Sequence, residues 1–310
     1  MTLGIIDVGT NSLHLLIGRL GRTGAFRVIH QERALVRLGE GGLAAGRLTG
    51  PAMRRALTVL ARYASAMRRF HVERVEAVTT SAVREASNGR AFARRARTRL
   101  GIPLRVISGP EEARLAYLGV LRARRVRQPA AFIAIGGGSA QVVHGKGTCL
   151  RYAASVPLGA ARLTQRFIRH DPPRLEEVDA LRRAVQRAWR PIVRALRRHR
   201  WRRALGGSAM IYHVMRAAHR RRHRRPPASP HRLTIAQQSL RELTAWLSGS
   251  TAAARERLPG LDPGREDQAL AATIALLSWM EGCGIATLRY APGSIREGLV
   301  MDARMRRGRR

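Results

Sequence analysis

The chain of 310 residues predicts an α/β protein of two domains. Three observations lead there. The length is too great for one small core, and hydrophobic residues at 45% allow extensive burial. Strand-like and helix-like patterns alternate from the N-terminus to about residue 145, as in α/β domains. A strand, a glycine-rich turn and a hydroxyl residue then recur at 7–12, 135–139 and 205–208, without any fixed solenoid period. The expected division is 1–125 for the first domain, 126–302 for the second, and a basic, frayed tail at 303–310.

Taken in order, "LGIIDV" (3–8) and "SLHLLIGR" (12–19) read as strands around a turn at Gly9, Thr10 and Asn11. "FRVIHQERALVRL" continues as a third strand. Residues 51–69 have helical spacing through Met53, Leu57, Leu60, Tyr63 and Met67, with Pro51 in the first turn. "RVEAVTT" is a strand, "GRAFARRARTRLG" a helix ended by Gly101, and "LRVIS" a strand. Residues 110–124 form a helix opened by Pro110, Glu111 and Glu112, and "AAFIAI" is a buried strand feeding three glycines. After a strand near 149–155, residues 159–199 are mainly helical. Val178, Leu181, Val185, Trp189, Ile192 and Leu196 form one stripe there, with a kink expected at Pro191. "RALGG" and "ATLRYA" are short strands, and 266–281 is a helix carrying Leu270, Ile274, Leu277 and Trp279. Between them, 219–232 reads as a basic, proline-containing loop: a solvated insertion or a polyanion clamp.

Lys+Arg total 58 against 20 acids, a formal charge of +38, and Lys146 is the single lysine. Coding bias accounts for arginine over lysine but not for the shortage of acids, so a polyanionic partner is favoured. Aromatics at 5% do not interleave with basic runs, which argues against a single-strand stacking platform. Cys149 and Cys283 lack metal-type spacing and imply a reducing, cytoplasmic compartment. The N-terminus reads as a strand pair rather than a signal peptide, and no apolar run is long enough to span a membrane.

Three loops could meet phosphate. "DVGTNS" ends a strand on Asp7, which could orient a metal, and its Gly9, Thr10, Asn11 and Ser12 could donate to phosphate oxygens; an ordinary Asx-type hairpin would look the same. "GGGSAQ" offers Gly136, Gly137, Gly138 and Ser139, where glycine permits positive φ and close backbone approach. Gly207 and Ser208 open a helix whose N-terminus would present N–H groups. Glu111 and Glu112 either complement a helix dipole or include a group that holds attacking water. Ser81 and Arg84 follow a strand, and Arg84 suits an oxyanion clamp. His14 is expected to be packed rather than catalytic.

Together, "IDVGTNSLHLLI", "TTSAVREASNG", "ISGPEEARLAYLGV", "IGGGSAQV", "SVPLGAARLTQRF", "LGGSAMI" and "SIREGLVMD" resemble the exopolyphosphatase / guanosine pentaphosphate phosphohydrolase (Ppx/GppA) family, in the family's order. The resemblance implies an actin-like (ASKHA) fold of two ribonuclease-H-like domains with an interdomain cleft. Long members carry a further helical domain, so the chain is expected to be a short form. By the same resemblance Glu112 matches the catalytic glutamate and Asp7 the metal-site aspartate. Arg84 and the loop N–H groups would hold phosphate, and Mg²⁺ or Mn²⁺ would bridge the substrate. The implied activity is exopolyphosphatase, with guanosine pentaphosphate as a second substrate. The expected partners are inorganic polyphosphate or a guanosine penta- or tetraphosphate, with a homodimer as candidate assembly. A membrane is not expected, and nucleic acid ranks last.

One departure matters. The family's second loop resembles Asp-Ile-Gly-Gly-Gly-Ser-Thr-Glu, whereas this chain has Ala134 and Gln141 at the two acid positions. Neither replacement carries charge, so the metal is expected to be weakly held and turnover reduced by about 10²–10³. A catalytically impaired binder of polyphosphate or an alarmone is the rival reading.

Overall fold

The computed structural model describes residues 1–21, 24–123, 126–223 and 225–307. The chain divides into two compact units: Met1–Arg122 together with the segment from Ser294 onward, and Ala123–Gly293.

In the first unit, β1 (Thr2–Val8), β2 (Ser12–Leu20) and β3 (Phe26–Leu35) form an antiparallel meander. Helix α1 (Gly50–Arg69) then carries the chain to β4 (Arg74–Thr79), parallel to β1. The short α2 (Ser81–Arg84) and α3 (Gly89–Leu100) lead to β5 (Leu104–Val106), and α4 (Gly109–Ala123) follows. The sheet order is β3-β2-β1-β4-β5. Nearly every residue of β1 is buried, as expected of a strand covered on both faces. Helix α1 starts where the Thr49 hydroxyl accepts from the Ala52 N–H, and α3 stops where Gly101 adopts φ 66°, a left-handed cap that glycine takes without strain.

The second unit repeats that strand plan. β6 (Ala130–Ile135), β7 (Ala140–Lys146) and β8 (Cys149–Val156) form the meander, followed by α5 (Ala160–Phe167) and α6 (Leu175–Arg197). β9 (Arg203–Gly207) runs parallel to β6 and feeds α7 (Ala209–Arg222). Next come a 3-10 turn at Pro230–Arg232, β10 (Thr234–Ala236), α8 (Gln237–Gly249), α9 (Ala252–Glu256), α10 (Ala269–Cys283) and β11 (Thr287–Tyr290). Read from its β8 edge, the sheet is β8-β7-β6-β9-β11-β10. Its first five strands match the first sheet in order and direction, the ribonuclease-H-like pattern stated twice. The α6 stripe is buried as its spacing predicts, and the helix runs through Pro191 without interruption. Helix α10 is buried from Ala269 to Met280 on every face, and the Trp189 indole donates to its Ala275 carbonyl at 2.9 Å.

Helix α11 (Ile295–Arg307) returns to the first unit. Leu299, Val300 and Ala303 join Leu3, Ile5, Val78 and Leu115 in one core, so 294–302 does not belong with 126–293 as expected from the sequence. Gly298 permits the approach, since a Cβ there would run into the Leu115 carbonyl. Residues 303–307, expected to be frayed, are helical, and Arg306 pairs with Glu76 at 3.1 Å; 308–310 lie outside the described residues. The third strand ends at Leu35 rather than 38, because the Val36 and Arg37 N–H groups turn back to the Asn11 carbonyl. Of the expected loop 219–232, His219–Arg222 complete α7; residue 224 lies outside the described residues.

Candidate functional site

In the first unit the tip between β1 and β2 is closed by the Gly9 N–H, which donates to the Ser12 carbonyl at 3.1 Å. The Thr10 carbonyl accepts from the Gly39 N–H, and the Asn11 carbonyl from Val36 and Arg37. The tip's carbonyls are thereby tied into the protein by the chain that follows β3. Two oxygens at the tip, Asp7 Oδ1 and Ser12 Oγ, are shut off from solvent and receive no hydrogen bond among the described residues. Buried polar atoms are usually satisfied, so this pair of oxygens at one tip stands out.

Asp7 sits at the C-terminal end of β1, opposite His14 on β2 and beside Val78 on β4. Burial drives its carboxyl up to about 7; Arg296 pulls it down, while Glu112 and Glu297 push it further up. Charged side chains from α4 and α11 therefore act on Asp7 at the end of β1. Helix α4 separates the two candidate acids: Glu111 faces outward to Arg105 at 3.2 Å, whereas Glu112 is 4% exposed and accepts from Arg84 Nη1 at 2.7 Å. The same Nη1 donates to the Ile107 carbonyl at 3.1 Å, which fixes the guanidinium against α4. Arg84 and Glu112, given separate roles by the resemblance, are partners of each other. Arg296 and Glu297 had no role in the sequence reading. They lie in "SIREGLVMD", and only packing of α11 brings them to residue 7.

In the second unit the tip between β6 and β7 is built the same way. The Gly136 N–H donates to the Ser139 carbonyl at 2.8 Å. The first turn of α5 then takes the loop's carbonyls: Ala160 N–H to Gly136, Arg162 N–H to Gly137, and Arg162 Nε to Gly138. No acceptor among the described residues takes the N–H groups of Gly137 and Gly138. None of the three glycines uses positive φ, contrary to the sequence expectation. Gly159 packs so near the loop that a Cβ on it would strike the backbone of Gly137 and Gly138. Gly207 abuts the Phe132 ring, so packing accounts for that glycine. Ser208 has φ 80°, accepts from the Ile211 N–H and donates to the Ile135 carbonyl at 2.9 Å, so its hydroxyl is engaged in holding α7 to β6.

Ala134 and Gln141 pair directly across β6 and β7. The Gln141 amide donates to the Ser139 hydroxyl at 2.8 Å and more weakly to Ser155 at 3.4 Å. The neutral side chain thus pins the tip from below. For a divalent ion, the orphaned Asp7 Oδ1 and the Ser12 hydroxyl are oxygen donors of the kind Mg²⁺ takes. Among the described residues no group of three His, Cys, Asp or Glu could enclose a metal. The donor set fits an ion completed by water and phosphate oxygens, not a protein cage.

A strand plan stated twice, each copy carrying a glycine turn with its carbonyls tied down, defines the class: a duplicated α/β protein whose two hairpin tips are constructed alike. The chain belongs to the Ppx/GppA phosphatase family, whose model matches residues 18–306. It is 31% identical to exopolyphosphatase 2 of Mycobacterium tuberculosis over 310 residues, covering 96% of this chain and 97% of that one. It is 30% identical to exopolyphosphatase 1 of the same organism over 313 residues, covering 97% and 88%. Among solved structures, an exopolyphosphatase from Cytophaga hutchinsonii superposes with a TM-score of 0.88 at 26% identity, covering 98% of both chains. The Aquifex aeolicus family member gives 0.81 at 25%, covering 99% and 98%. No helix among the described residues is long and apolar enough to cross a membrane.

Proposed function

We propose that the chain is a phosphoanhydride hydrolase that releases the terminal phosphate of inorganic polyphosphate. The observation that carries the reading is the buried Glu112 carboxylate, held 2.7 Å from Arg84 and electrostatically linked to Asp7. Glu112 is the group to orient or deprotonate the attacking water. Arg84 must share its guanidinium between Glu112 and a phosphate oxygen, which its remaining N–H groups permit. The Gly137 and Gly138 N–H groups, which meet no acceptor among the described residues, are suited to phosphate oxygens. Asp7 and Ser12 would hold Mg²⁺ or Mn²⁺, and such an ion, when bound, neutralises charge developing on the transferred phosphoryl group. Ala134 and Gln141 carry no charge where the resemblance expects acids, and a weakly held ion is part of this reading. Guanosine pentaphosphate presents the same terminal phosphoanhydride and is a candidate second substrate.

A second reading has its own observation. The Gln141 amide is hydrogen-bonded into a neutral Ser139–Ser155 network, a stable arrangement that needs no ion. On that reading the chain binds a phosphate polymer without turning it over. One assay separates the two: phosphate release from long-chain polyphosphate with Mg²⁺ or Mn²⁺, with the Glu112→Gln variant as control. Release well above that control supports the hydrolase; release equal to it would falsify the hydrolase and leave the binder.

A further inference from the structure

The second unit contains a basic recess of about 410 Å³ at the other end of the β6–β7–β8 meander from the glycine tip. The tip precedes Ala140 and the recess lies at Lys146–Cys149, so the length of β7 separates them by about 20 Å. It shares no residue with the site described above.

Its walls are His144, Lys146, Arg151, Arg198, His199 and Arg200, with no carboxylate among the lining residues. The four cationic side chains stand exposed around it, with no ion pair to a described residue. The two imidazoles stack almost flat, centroids 4.7 Å apart and planes 10° from parallel. His144 is 4% exposed. Its Nε2 lies 3.3 Å from the Arg200 carbonyl, which can only accept, so the neutral ring carries its proton there. Nδ1 is left buried with no partner among the described residues. Burial first, then the charges of His199 and Arg151, hold the imidazole below its ordinary value.

Arginine excess explains many basic surfaces on a chain of charge +38. It does not explain a recess within the size range of small-ligand sites that Lys146, Arg151, Arg198 and Arg200 line together with no carboxylate. We infer that this recess is a second, non-catalytic anion site that takes a short oligophosphate, either free or as the phosphate tail of a nucleotide. Guanidinium groups fork onto phosphate oxygens, and several like charges around one open recess suit a ligand of dense negative charge. The volume admits an oligophosphate and excludes a duplex. The site stands whether or not the chain hydrolyses polyphosphate.

The test uses the full chain and sodium tripolyphosphate, with the ring resonances of His144 and His199 followed by NMR so that binding at the glycine tip is not counted. Saturable shifts of both rings are expected. Arg198→Ser with Arg200→Ser should weaken that binding roughly tenfold or more. Arg183→Ser with Arg187→Ser removes the same charge from the exposed side of α6 and should change it by less than about twofold. All four positions are exposed, so folding should survive, and circular dichroism checks it. A nucleoside triphosphate binding as well as tripolyphosphate assigns the tail as what is read; clearly weaker nucleotide binding assigns the free chain. Equal loss in both double variants, ring shifts that never saturate, or displacement by duplex DNA at matched phosphate and salt would each overturn the site.

Discussion

Gly9 and Gly136 each donate an N–H to the carbonyl of a serine three residues on. One residue before each glycine, a carbonyl is held by a hydroxyl from the neighbouring parallel strand region: Val8 by Thr79 at 3.0 Å, Ile135 by Ser208 at 2.9 Å. Two residues before each glycine the copies part. Asp7 faces His14 across the first hairpin, while Ala134 faces Gln141 across the second. The backbone of a hairpin tip is therefore built by turn hydrogen bonds and by whatever chain segment satisfies its carbonyls. Acids at its base are not needed for that architecture, so they can be lost without loss of fold. What they contribute is charge, and here all of it lies on the first tip.

The largest effect expected from that asymmetry concerns Glu112, which belongs to the acidic copy. Glu112→Gln should lower phosphate release by about 10³ while polyphosphate binding persists, checked by initial rates alongside a filter-binding assay. Next, restoring acids to the neutral copy should sharpen the contrast. Ala134→Asp with Gln141→Glu is expected to raise kcat/KM by about tenfold or more at limiting Mg²⁺ and to lower the half-saturating metal concentration. Unchanged metal dependence would mean that the two tips do not differ in function.

A third test reads Asp7 through stability. Its folded carboxyl is raised to about 7 from 3.8, so the folded state holds this proton more tightly than the unfolded chain. The resulting stabilisation is fully present below about 4 and is lost as pH rises through about 7. In buffer free of divalent ions, Asp7→Asn should remove that slope and leave the protein more stable at pH 8 by on the order of 2 kcal/mol. Thermal melts of both proteins across pH give the answer; parallel curves would show that Asp7 is not strained by burial. The smallest effect is structural and should be alike in the two copies. Thr79→Val and Ser208→Ala each remove one hydroxyl tie to a tip and should cost about 1 kcal/mol, measured by urea melts.

Much of this was legible beforehand because it is local. Strands β1, β2 and β6, the α6 stripe and the helix end at Gly101 follow from residue spacing. Strand β7 was not anticipated. Its buried polar residues Gln141 and His144 interrupt the apolar pattern, and their partners lie on β8 and beyond α6. The helix expected at 266–281 from Leu270, Ile274, Leu277 and Trp279 is buried from Ala269 to Met280, because α6 and α8 both pack against it. The triple glycine was legible as a special loop, but positive φ is not used there, and the close approach is made by Gly159, which the sequence did not single out.

The sequence by itself determined the α/β class, the strands around the first glycine turn, the family, and the absence of acids at 134 and 141. These depend on residue type and near-neighbour spacing. Only the tertiary structure decided that α11 rejoins the first unit, that Glu112 rather than Glu111 turns inward to Arg84, and that Arg296 and Glu297 act on Asp7. Those facts depend on which surfaces bury one another across hundreds of residues, and no short-range pattern carries that information.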